Sequence, residues 1–401
     1  MNQIKTLPQN CPVCNSKHFE EFLRTDLTTF FFPLPKTLLE LTKKEPFKLD
    51  ICQNCSFIFQ IDVKQDLIEL IYNKFYQHYN LDTSVEFQEI YRERTILFMN
   101  NLLKNNPDYK ILDLGCGEGT YFPFFESLGY SCYGIEPSKK AKIAKEKNPN
   151  ATISLKFFEE LNEEEFDTKF DVILMNWVLE HISDLDTFFN KLGKHIKNKS
   201  KLIIQVPDIR YYFNNFLPLF YVHEHINYFT IETLTLLLES KGYEVSGNKH
   251  GDSPSILICA EYTGIEKRRI VNNQTLYQIQ KQFLKDNFEL KEKISNAIAS
   301  YENIVFYGMG LLAFWIGDNC MNRSDNKKID LIDDNEFYKN KLVPLFNKKL
   351  TNFPIGSILN NALIIISTSP VYHKKIRKII KEKFIGNYQI AYIDGNSLVI
   401  E

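Results

Sequence analysis

Several features that define other protein classes are missing from this chain of 401 residues. No apolar run approaches the length of a membrane span, and the first residues, Met1–Lys5, lack the apolar core of a signal peptide. Neither sign of charge is in excess, since 48 Lys and Arg stand against 50 Asp and Glu, whereas nucleic-acid binders usually have a basic excess. These absences predict a cytoplasmic protein that acts on neither membranes nor nucleic acids.

The chain is long enough for two or three domains and shows no internal repeat or low-complexity tract. Its pattern predicts a small module over 1–65, an α/β domain over 66–265 and a Rossmann-like α/β domain over 266–401. A polar stretch with apolar residues at helical spacing, 270–300, is predicted as the helix between the last two. A monomer or small homo-oligomer is expected.

Four of the eight cysteines form two C-x-x-C pairs, Cys11/Cys14 and Cys52/Cys55. Each pair places two thiolates on one tight turn, and four thiolates can close a tetrahedral zinc site. Because a small module has little core of its own, a metal would hold it together. The interpretation is structural zinc, since four protein ligands leave no open position for catalysis; four buried thiols or a redox pair are the alternatives. The other cysteines lack pairing spacing, so no disulfide framework is predicted.

Strand and helix patterns alternate from residue 110 onward, which predicts a mostly parallel, doubly wound sheet. The predicted strands are 110–114, 131–135, 152–155, 170–175 and 201–206, with an antiparallel pair, 243–246 and 255–262, at one edge. The predicted helices are 66–79, 86–104, 120–128, 138–147, 184–197 and 231–241. The second α/β unit has predicted strands at 303–307, 329–332, 362–367 and 389–393.

A glycine turn with Gly115, Gly117 and Gly119 directly follows the first of these strands. Such a turn admits a ligand against bare main chain at the start of a helix. A dinucleotide fingerprint needs Gly or Ala three residues beyond the second Gly, and Thr120 stands there instead. The G-x-G-x-G form resembles class I S-adenosylmethionine (SAM) methyltransferases, which implies that fold and SAM as cofactor.

Further residues are candidates for the cofactor site. Glu136 ends the second strand, where an acid can accept hydrogen bonds from both ribose hydroxyls. Asp113 is a candidate for orienting the ammonium group of SAM, and Asn176 opens the run Asn176–His181, which resembles the segment ending in Glu-His of the same methyltransferases. Phe157 and Phe158 either flank adenine or belong to the core.

Three ionisable residues, His223–Glu224–His225, follow the fifth strand at the edge of the sheet that binds ligands. Histidine titrates near neutrality, and a glutamate can fix its tautomer or raise its basicity. The favoured interpretation is catalysis. A satisfied surface histidine is the alternative, and zinc is disfavoured because adjacent ligands cannot share a helical face.

The order of these motifs resembles that of the sugar C-methyltransferases, which add a methyl carbon to nucleotide-linked 4-keto-deoxysugars. The resemblance runs through the C-x-x-C pairs, the stretch Leu49–Gln60, the tyrosine-rich helix end, the SAM motifs, the Glu-His pair and the C-terminal α/β domain. It implies a nucleotide-linked sugar as substrate and His225 as the base that forms an enolate. It also implies that Glu224, His181 and Tyr76 support that base.

Two positions depart from the family, since Val222 and His78 stand where it tends to have tyrosine. O- or N-methylation of a sugar or another small metabolite is therefore the second hypothesis, and a non-catalytic binding or assembly protein is the third. In the C-terminal domain, Gly308–Ala313 matches G-x-G-x-x-A, and Asp333 and Asp334 end the next strand. The resemblance implies that this domain helps to hold the nucleotide; an α/β scaffold without a ligand is the alternative.

Overall fold

In a computed structural model, the chain is described over residues 9–31, 34–75, 85–161, 166, 168–215, 217–218, 220–269, 272–321, 327–334, 341–368 and 370–401. Over these residues it forms sheets of four, seven and five strands and one two-stranded ribbon. No helix within these ranges combines the length and apolar composition that a membrane span requires.

The N-terminal module is built on a four-stranded antiparallel sheet whose last strand comes from the central domain. Its strands, in spatial order, are β1 (Phe19–Thr28), β2 (Lys44–Cys52), β3 (Ile58–Phe59) and β9 (Asn227–Tyr228). Helix α1 (Gln65–Leu70) follows and continues as a π-helical turn, Ile71–Phe75. The helix predicted over 66–79 is thus confirmed for its first part, and residues 76–79 lie outside the described residues.

The central domain is the predicted doubly wound sheet with helices between its strands. Its strands are β4 (Lys110–Leu114), β5 (Ser131–Ile135), β6 (Thr152–Ser154), β7 (Phe170–Asn176), β8 (Ile196–Pro207), β10 (Tyr243–Lys249) and β11 (Ser255–Tyr262). Its helices are α2 (Val85–Asn100), α3 (Phe122–Ser127), α4 (Lys140–Lys147), α5 (Leu185–Leu192), α6 (Ile209–Asn214) and α7 (Ile231–Ser240).

The spatial order of this sheet is β10-β11-β8-β7-β4-β5-β6. Strands β4 to β8 are mutually parallel, and β11 and β10 add the antiparallel pair predicted at one edge. The predicted helix over 184–197 was too long, because Gly193 opens a 3-10 turn after α5 and β8 begins at Ile196. Central strands are buried on both faces, which explains the apolar run over 172–175 in β7.

The C-terminal domain is a second, smaller α/β unit. Its strands are β12 (Asn303–Tyr307), β13 (Lys328–Ile332), β14 (Leu342–Val343), β15 (Lys348–Lys349), β16 (Ser357–Ile366), β17 (Phe384–Asp394) and β18 (Ser397–Ile400). Its helices are α8 (Gln274–Ala299), α9 (Leu311–Asn319) and α10 (His373–Lys383). The sheet order is β13-β12-β16-β17-β18, parallel except for β18. Helix α8 confirms the helix predicted between the domains.

Aromatic residues pack the N-terminal module against both other domains. Phe31 stacks on Phe314 of α9 with ring centroids 5.7 Å apart, and Phe57 meets Phe229 of the central domain at 5.3 Å. Such buried aromatic pairs stabilise the interfaces beyond the area they bury. The boundaries after residues 65 and 265 stay predictions, but the module is packed on both neighbours rather than tethered beside them.

The chain order reverses at β4, with β5 and β6 on one side and β7 and β8 on the other. In open parallel sheets, ligands bind beyond the carboxyl ends of the strands at such a reversal, because the loops there diverge. The loops after β4, β5, β7 and β8 therefore form the candidate site.

Candidate active site

The loop after β4 is a glycine turn in the left-handed region of backbone conformation. Gly115, Gly117 and Gly119 have φ of 72°, 54° and 75°. A Cβ atom added at Gly115 would lie 2.8 Å from Cγ2 of Val178, whereas one added at Gly117 would meet no atom within 4 Å. The turn therefore needs glycine throughout and leaves open space above its middle residue.

Glu136 lies directly against this turn. Its Oε2 accepts a hydrogen bond from the Gly117 N–H at 2.9 Å, and its Oε1 accepts one from the Ser138 N–H, also at 2.9 Å. The side chain is largely buried. The acid predicted to receive a ribose thus sits at the end of β5 beside the open turn.

The two phenylalanines that followed β6 in the prediction have different surroundings. Phe158 is buried and packs on Phe188 with ring centroids 5.1 Å apart, so the core alternative is correct for it. Phe157 is about half exposed, at 46%. The adenine-flanking role therefore stays a prediction for Phe157 alone.

Two polar side chains of the site are buried without hydrogen-bond partners among the described residues. They are the Oδ2 atom of Asp113 on β4 and both amide atoms of Asn176 at the end of β7. Burial, and then the charge of Glu136, raise the pKa of Asp113 well above its ordinary value. Buried polar atoms without partners are costly, and a cationic or hydrogen-bonding ligand would satisfy them. This arrangement fits a cofactor with an ammonium group.

The residue after Asn176 has an unusual backbone. Trp177 has φ of 57°, a conformation that costs a bulky residue free energy and that occurs most often at functional sites. Its ring is 40% exposed and lies 6.2 Å from that of Tyr91 on α2. An aromatic pair, with Trp177 exposed and Tyr91 half-buried, thus borders the loop that carries Asn176.

The loops after β7 and β8 bring together two histidines that are 44 positions apart. The rings of His181 and His225 lie 4.9 Å apart at an angle of 75°. The Nδ1 atom of His181 contacts the main-chain oxygen of Glu224 at 2.8 Å. Since a carbonyl only accepts, Nδ1 carries the proton, and neutral His181 presents a lone pair at Nε2.

Backbone hydrogen bonds join the same two loops. The Ile226 N–H donates to the Glu180 oxygen at 2.7 Å, and the Asn227 side-chain amide donates to the oxygens of Leu179 and Ile182 at 3.1 and 2.7 Å. Three hydrogen bonds to main-chain oxygens fix the loops relative to each other. The histidine pair is therefore a defined feature rather than a chance approach of two surface loops.

Burial shifts the pKa values of all four ionisable side chains around the pair. It lowers the pKa of His181 to about 4 and that of His225 well below its ordinary value. It raises the pKa of Glu224 to about 7 and that of Glu180 to about 8. Both imidazoles are therefore neutral at neutral pH, and Glu180 keeps its proton there.

The structure changes the expected roles around His225. Glu224 supports the pair, but with its main-chain oxygen; within the described residues its carboxyl group makes no hydrogen bond to either ring. Tyr76 lies outside the described residues, and Tyr72, one helical turn earlier, has its ring 6.0 Å from that of His181. His223 belongs elsewhere, because it is buried with Nε2 3.0 Å from the Leu27 oxygen.

The sequence does not predict a role for Glu180, although this residue lies in the run Asn176–His181. Its carboxyl group is fully buried without a hydrogen-bond partner in the described part of the chain, and its Oε1 lies 3.9 Å from the His181 Nε2. Donor atoms of Glu180, His181 and His225 all lie within 4.8 Å of one another, a spacing that also suits a divalent cation. The only available signal was its position beside His181.

The four cysteines of the C-x-x-C pairs come together as predicted. The Sγ atoms of Cys11 and Cys55 are 3.6 Å apart, those of Cys14 and Cys52 are 3.5 Å apart, and none forms a disulfide. Around tetrahedral zinc, with Zn–S bonds of about 2.3 Å, sulfur atoms lie about 3.8 Å apart. The cluster therefore fits zinc with little rearrangement.

The glycine turn after β12 has close neighbours at Gly308 and Gly310, with no open position like that of Gly117 at either glycine. A Cβ atom at Gly308 would lie 2.1 Å from Cγ2 of Thr368, and one at Gly310 would lie 3.0 Å from the Ser367 oxygen. Asp333 accepts a hydrogen bond from the Met309 N–H at 2.6 Å. The loop after β16 thus approaches both glycines closely.

A protein-family model described as a methyltransferase domain matches residues 87–246. The chain is 32% identical over 128 residues to the mitochondrial ubiquinone biosynthesis O-methyltransferase of Homo sapiens, which is 28% of this chain and 34% of the relative. It is 34% identical over 123 residues to the ubiquinone biosynthesis O-methyltransferase of Pelagibacter ubique, 29% of this chain and 48% of the relative. It thus spans between a third and a half of these relatives.

Among solved structures, a SAM-dependent methyltransferase from Aquifex aeolicus is 17% identical, with 42% of this chain and 89% of that chain covered and a TM-score of 0.34. Magnesium protoporphyrin IX methyltransferase from Synechocystis, solved with bound SAM, is 15% identical and has a TM-score of 0.35. The match covers 49% of this chain and 96% of that chain. Likeness at this level carries no information on substrate. The matched family and the observed topology make the central domain a SAM-dependent methyltransferase domain with the class I fold, as predicted.

Proposed function

We propose that this protein uses SAM to methylate a carbon atom of a nucleotide-linked 4-keto-deoxysugar. The observation that carries the proposal is the neutral pair of imidazoles, His181 and His225, in the loops next to the glycine turn. Val178, three residues before His181, lies against Gly115 of that turn. This position supports a base beside the glycine turn, as abstraction of a proton next to a ketone requires.

SAM, when bound, supplies an electrophilic methyl group on its sulfonium sulfur. The glycine turn and Glu136 would hold its nucleoside, and Asp113 and Asn176 would hold its amino-acid part. Much of the rate would then come from holding the two reactants in line.

His225 is the proposed base because it is neutral and half-buried and its ring is free of hydrogen bonds to described residues. His181 presents a lone pair at Nε2 and becomes a donor to the substrate oxygen only after it gains a proton. Glu180, whose Oε1 lies 3.9 Å from this Nε2, keeps its own proton at neutral pH and is the neutral acid beside the pair. Stabilising the negative charge that develops on that oxygen is what makes the carbon acid reactive.

O-methylation is the second candidate, because the curated relatives that match the central domain are named O-methyltransferases. The same base would then remove a hydroxyl proton, and no enolate would form. Both candidate reactions need the residues proposed to hold SAM and the proposed base, His225. They differ in the atom that receives the methyl group.

A substrate deuterated beside the ketone separates the two candidates. In a panel of nucleotide-linked keto sugars with SAM, C-methylation predicts loss of one deuterium for each methyl group transferred. Product that retains all its deuterium contradicts the C-methyl proposal and supports O-methylation. His225→Ala should lower turnover by several orders of magnitude with SAM affinity unchanged, and near-normal turnover would contradict the base assignment.

We also propose a structural zinc ion on Cys11, Cys14, Cys52 and Cys55. Metal analysis of the purified protein should give one zinc per chain, and Cys55→Ser should lower both zinc content and thermal stability. A metal-free protein of full stability would contradict this assignment.

A further inference from the structure

One residue of the N-terminal module reaches into the loop that carries the proposed base. Strand β3 pairs with β9, directly after that loop, and the Gln60 N–H continues the pairing by donating to the Ile226 oxygen at 2.9 Å. The Gln60 side chain is 6% exposed. The sheet of the module therefore ends beside His225.

The side-chain amide of Gln60 holds the loop by its main chain. Its Nε2 donates to the His223 oxygen at 2.9 Å and also donates to the His225 oxygen. A primary amide has two N–H groups, so one nitrogen satisfies both carbonyls. These carbonyls flank Glu224, so the amide bridges the whole three-residue segment.

The orientation of this segment decides where both imidazoles lie. Glu224, between the two clamped residues, offers its own oxygen to Nδ1 of His181. If the segment rotated, His181 would lose the contact that fixes its tautomer, and His225 would move relative to it. A second attachment to the module, from His223 to the Leu27 oxygen, holds only the first residue of the segment.

We propose that Gln60 is a positioning residue for methyl transfer, whose side-chain amide fixes the main chain from His223 to His225 so that His225 faces His181. The inference rests on the proposed function. It makes the N-terminal module part of the active site, although all residues predicted for catalysis lie outside 1–65. Within the described residues, Gln60 forms no hydrogen bond to the cofactor residues or to the imidazoles, so its effect passes through the loop.

The test compares Gln60→Met with a matched control, Gln53→Met. Methionine keeps the length of the side chain and removes both donors. Gln53 belongs to the same module, and its amide donates to Oε2 of Glu20 at 2.8 Å, facing α8 rather than the catalytic loop. Both variants thus lose amide hydrogen bonds from one module, but only one of them loses bonds to the loop.

Gln60→Met should lower kcat about 10- to 100-fold, because misplacement of a catalytic group by about 1 Å has effects of that size. The dissociation constant for SAM, measured by calorimetry, should change less than twofold. The acid limb of the pH profile should shift in Gln60→Met, because the surroundings of His225 change. Gln53→Met should match the wild type in kcat, in the dissociation constant for SAM and in the pH profile. Turnover of Gln60→Met within twofold of the wild type overturns the proposal, and so does a parallel loss of SAM binding.

A second measurement does not depend on the reaction. The imidazole resonances of His225, assigned by NMR with His225→Gln as reference, should move in Gln60→Met and stay in place in Gln53→Met. An unchanged His225 resonance overturns the positioning role even if both variants are active. Wild-type protein that transfers no methyl group would contradict the proposed function, whereas this readout would still decide the role of Gln60.

Discussion

Two glycine turns of this chain are built in the same way and packed differently. Gly115 donates its N–H to the last residue of β5 at 2.8 Å, and Gly308 donates its N–H to the last residue of β13 at 2.7 Å. In both turns an acid after the neighbouring strand, Glu136 or Asp333, accepts a hydrogen bond from a main-chain N–H of the turn. The two domains thus share one design around the first strand of a parallel sheet.

The difference lies in what covers each turn. The space above Gly117 is open, and Asp113 and Asn176 beside it keep polar atoms without partners among the described residues. In the second turn, a Cβ atom added at Gly310, the counterpart of Gly117, would lie 3.0 Å from the Ser367 oxygen, and one added at Gly308 would lie 2.1 Å from Cγ2 of Thr368. A glycine motif therefore specifies the turn, whereas the space above it depends on the loop that follows another strand.

The largest expected effect tests the open turn. Asp113→Asn removes the negative charge that would face the ammonium group of SAM but keeps the size of the side chain. Hydrogen bonds to charged groups contribute about 1.5–3 kcal/mol, so SAM affinity should fall by about 10- to 100-fold in calorimetry. Asp333→Asn, the matched change at the closed turn, should leave SAM affinity unchanged. Equal losses of SAM affinity in both variants would contradict the assignment of SAM to the turn after β4.

The pH dependence of SAM binding is the next effect. The ammonium group needs the carboxylate form of Asp113, whose pKa is raised by burial and by Glu136. Affinity should therefore fall as the pH falls below that raised pKa, by up to about tenfold per pH unit, and Asp113→Asn should lose this dependence. Calorimetry in buffers of different ionisation enthalpy measures the proton released on binding. Binding of SAM without proton release would contradict the argument.

The stability of the ligand-free protein should change with pH in the opposite direction. Because the pKa of Asp113 is higher in the folded protein than in the unfolded chain, the folded form holds this proton more tightly. The contribution to the free energy of unfolding is then complete at acid pH and is lost as the pH rises from about 4 through the raised pKa. Denaturant unfolding without SAM, at a series of pH values, gives the free energy of unfolding of the wild type and of Asp113→Asn. The fall of this free energy with rising pH should be smaller in Asp113→Asn.

Substitution of the glycines should separate stability from binding. Gly308→Ala combines left-handed backbone strain with a clash against Thr368, and should lower the free energy of unfolding by roughly 2–4 kcal/mol with SAM affinity intact. Gly117→Ala has only the strain, about 1 kcal/mol, but fills the space above the turn, so its main effect should be on SAM affinity. A loss of SAM affinity in Gly308→Ala with little effect in Gly117→Ala would contradict the difference between the two turns.

Sequence reasoning located the turns, the acids and the cysteines because each lies in a local pattern. Strands such as Lys110–Leu114 and Asn303–Tyr307 have the bounds predicted for them, since their apolar runs are buried on both faces. What local patterns cannot contain is contact between distant loops. The pairing of β3 with β9, the Glu224 oxygen on His181 and the Thr368 side chain over Gly308 all depend on how separate segments meet.

The smallest expected effect tests whether Thr368 alone closes the second turn. Thr368→Ala removes the Cγ2 atom that a Cβ at Gly308 would meet at 2.1 Å, and should by itself cost about 1 kcal/mol of stability. In that background Gly308→Ala should cost about 1–2 kcal/mol less than in the wild type, because only the backbone strain remains. A double-mutant cycle by denaturant unfolding measures this coupling. Strict additivity would mean that the turn is closed by its own backbone and not by the loop after β16.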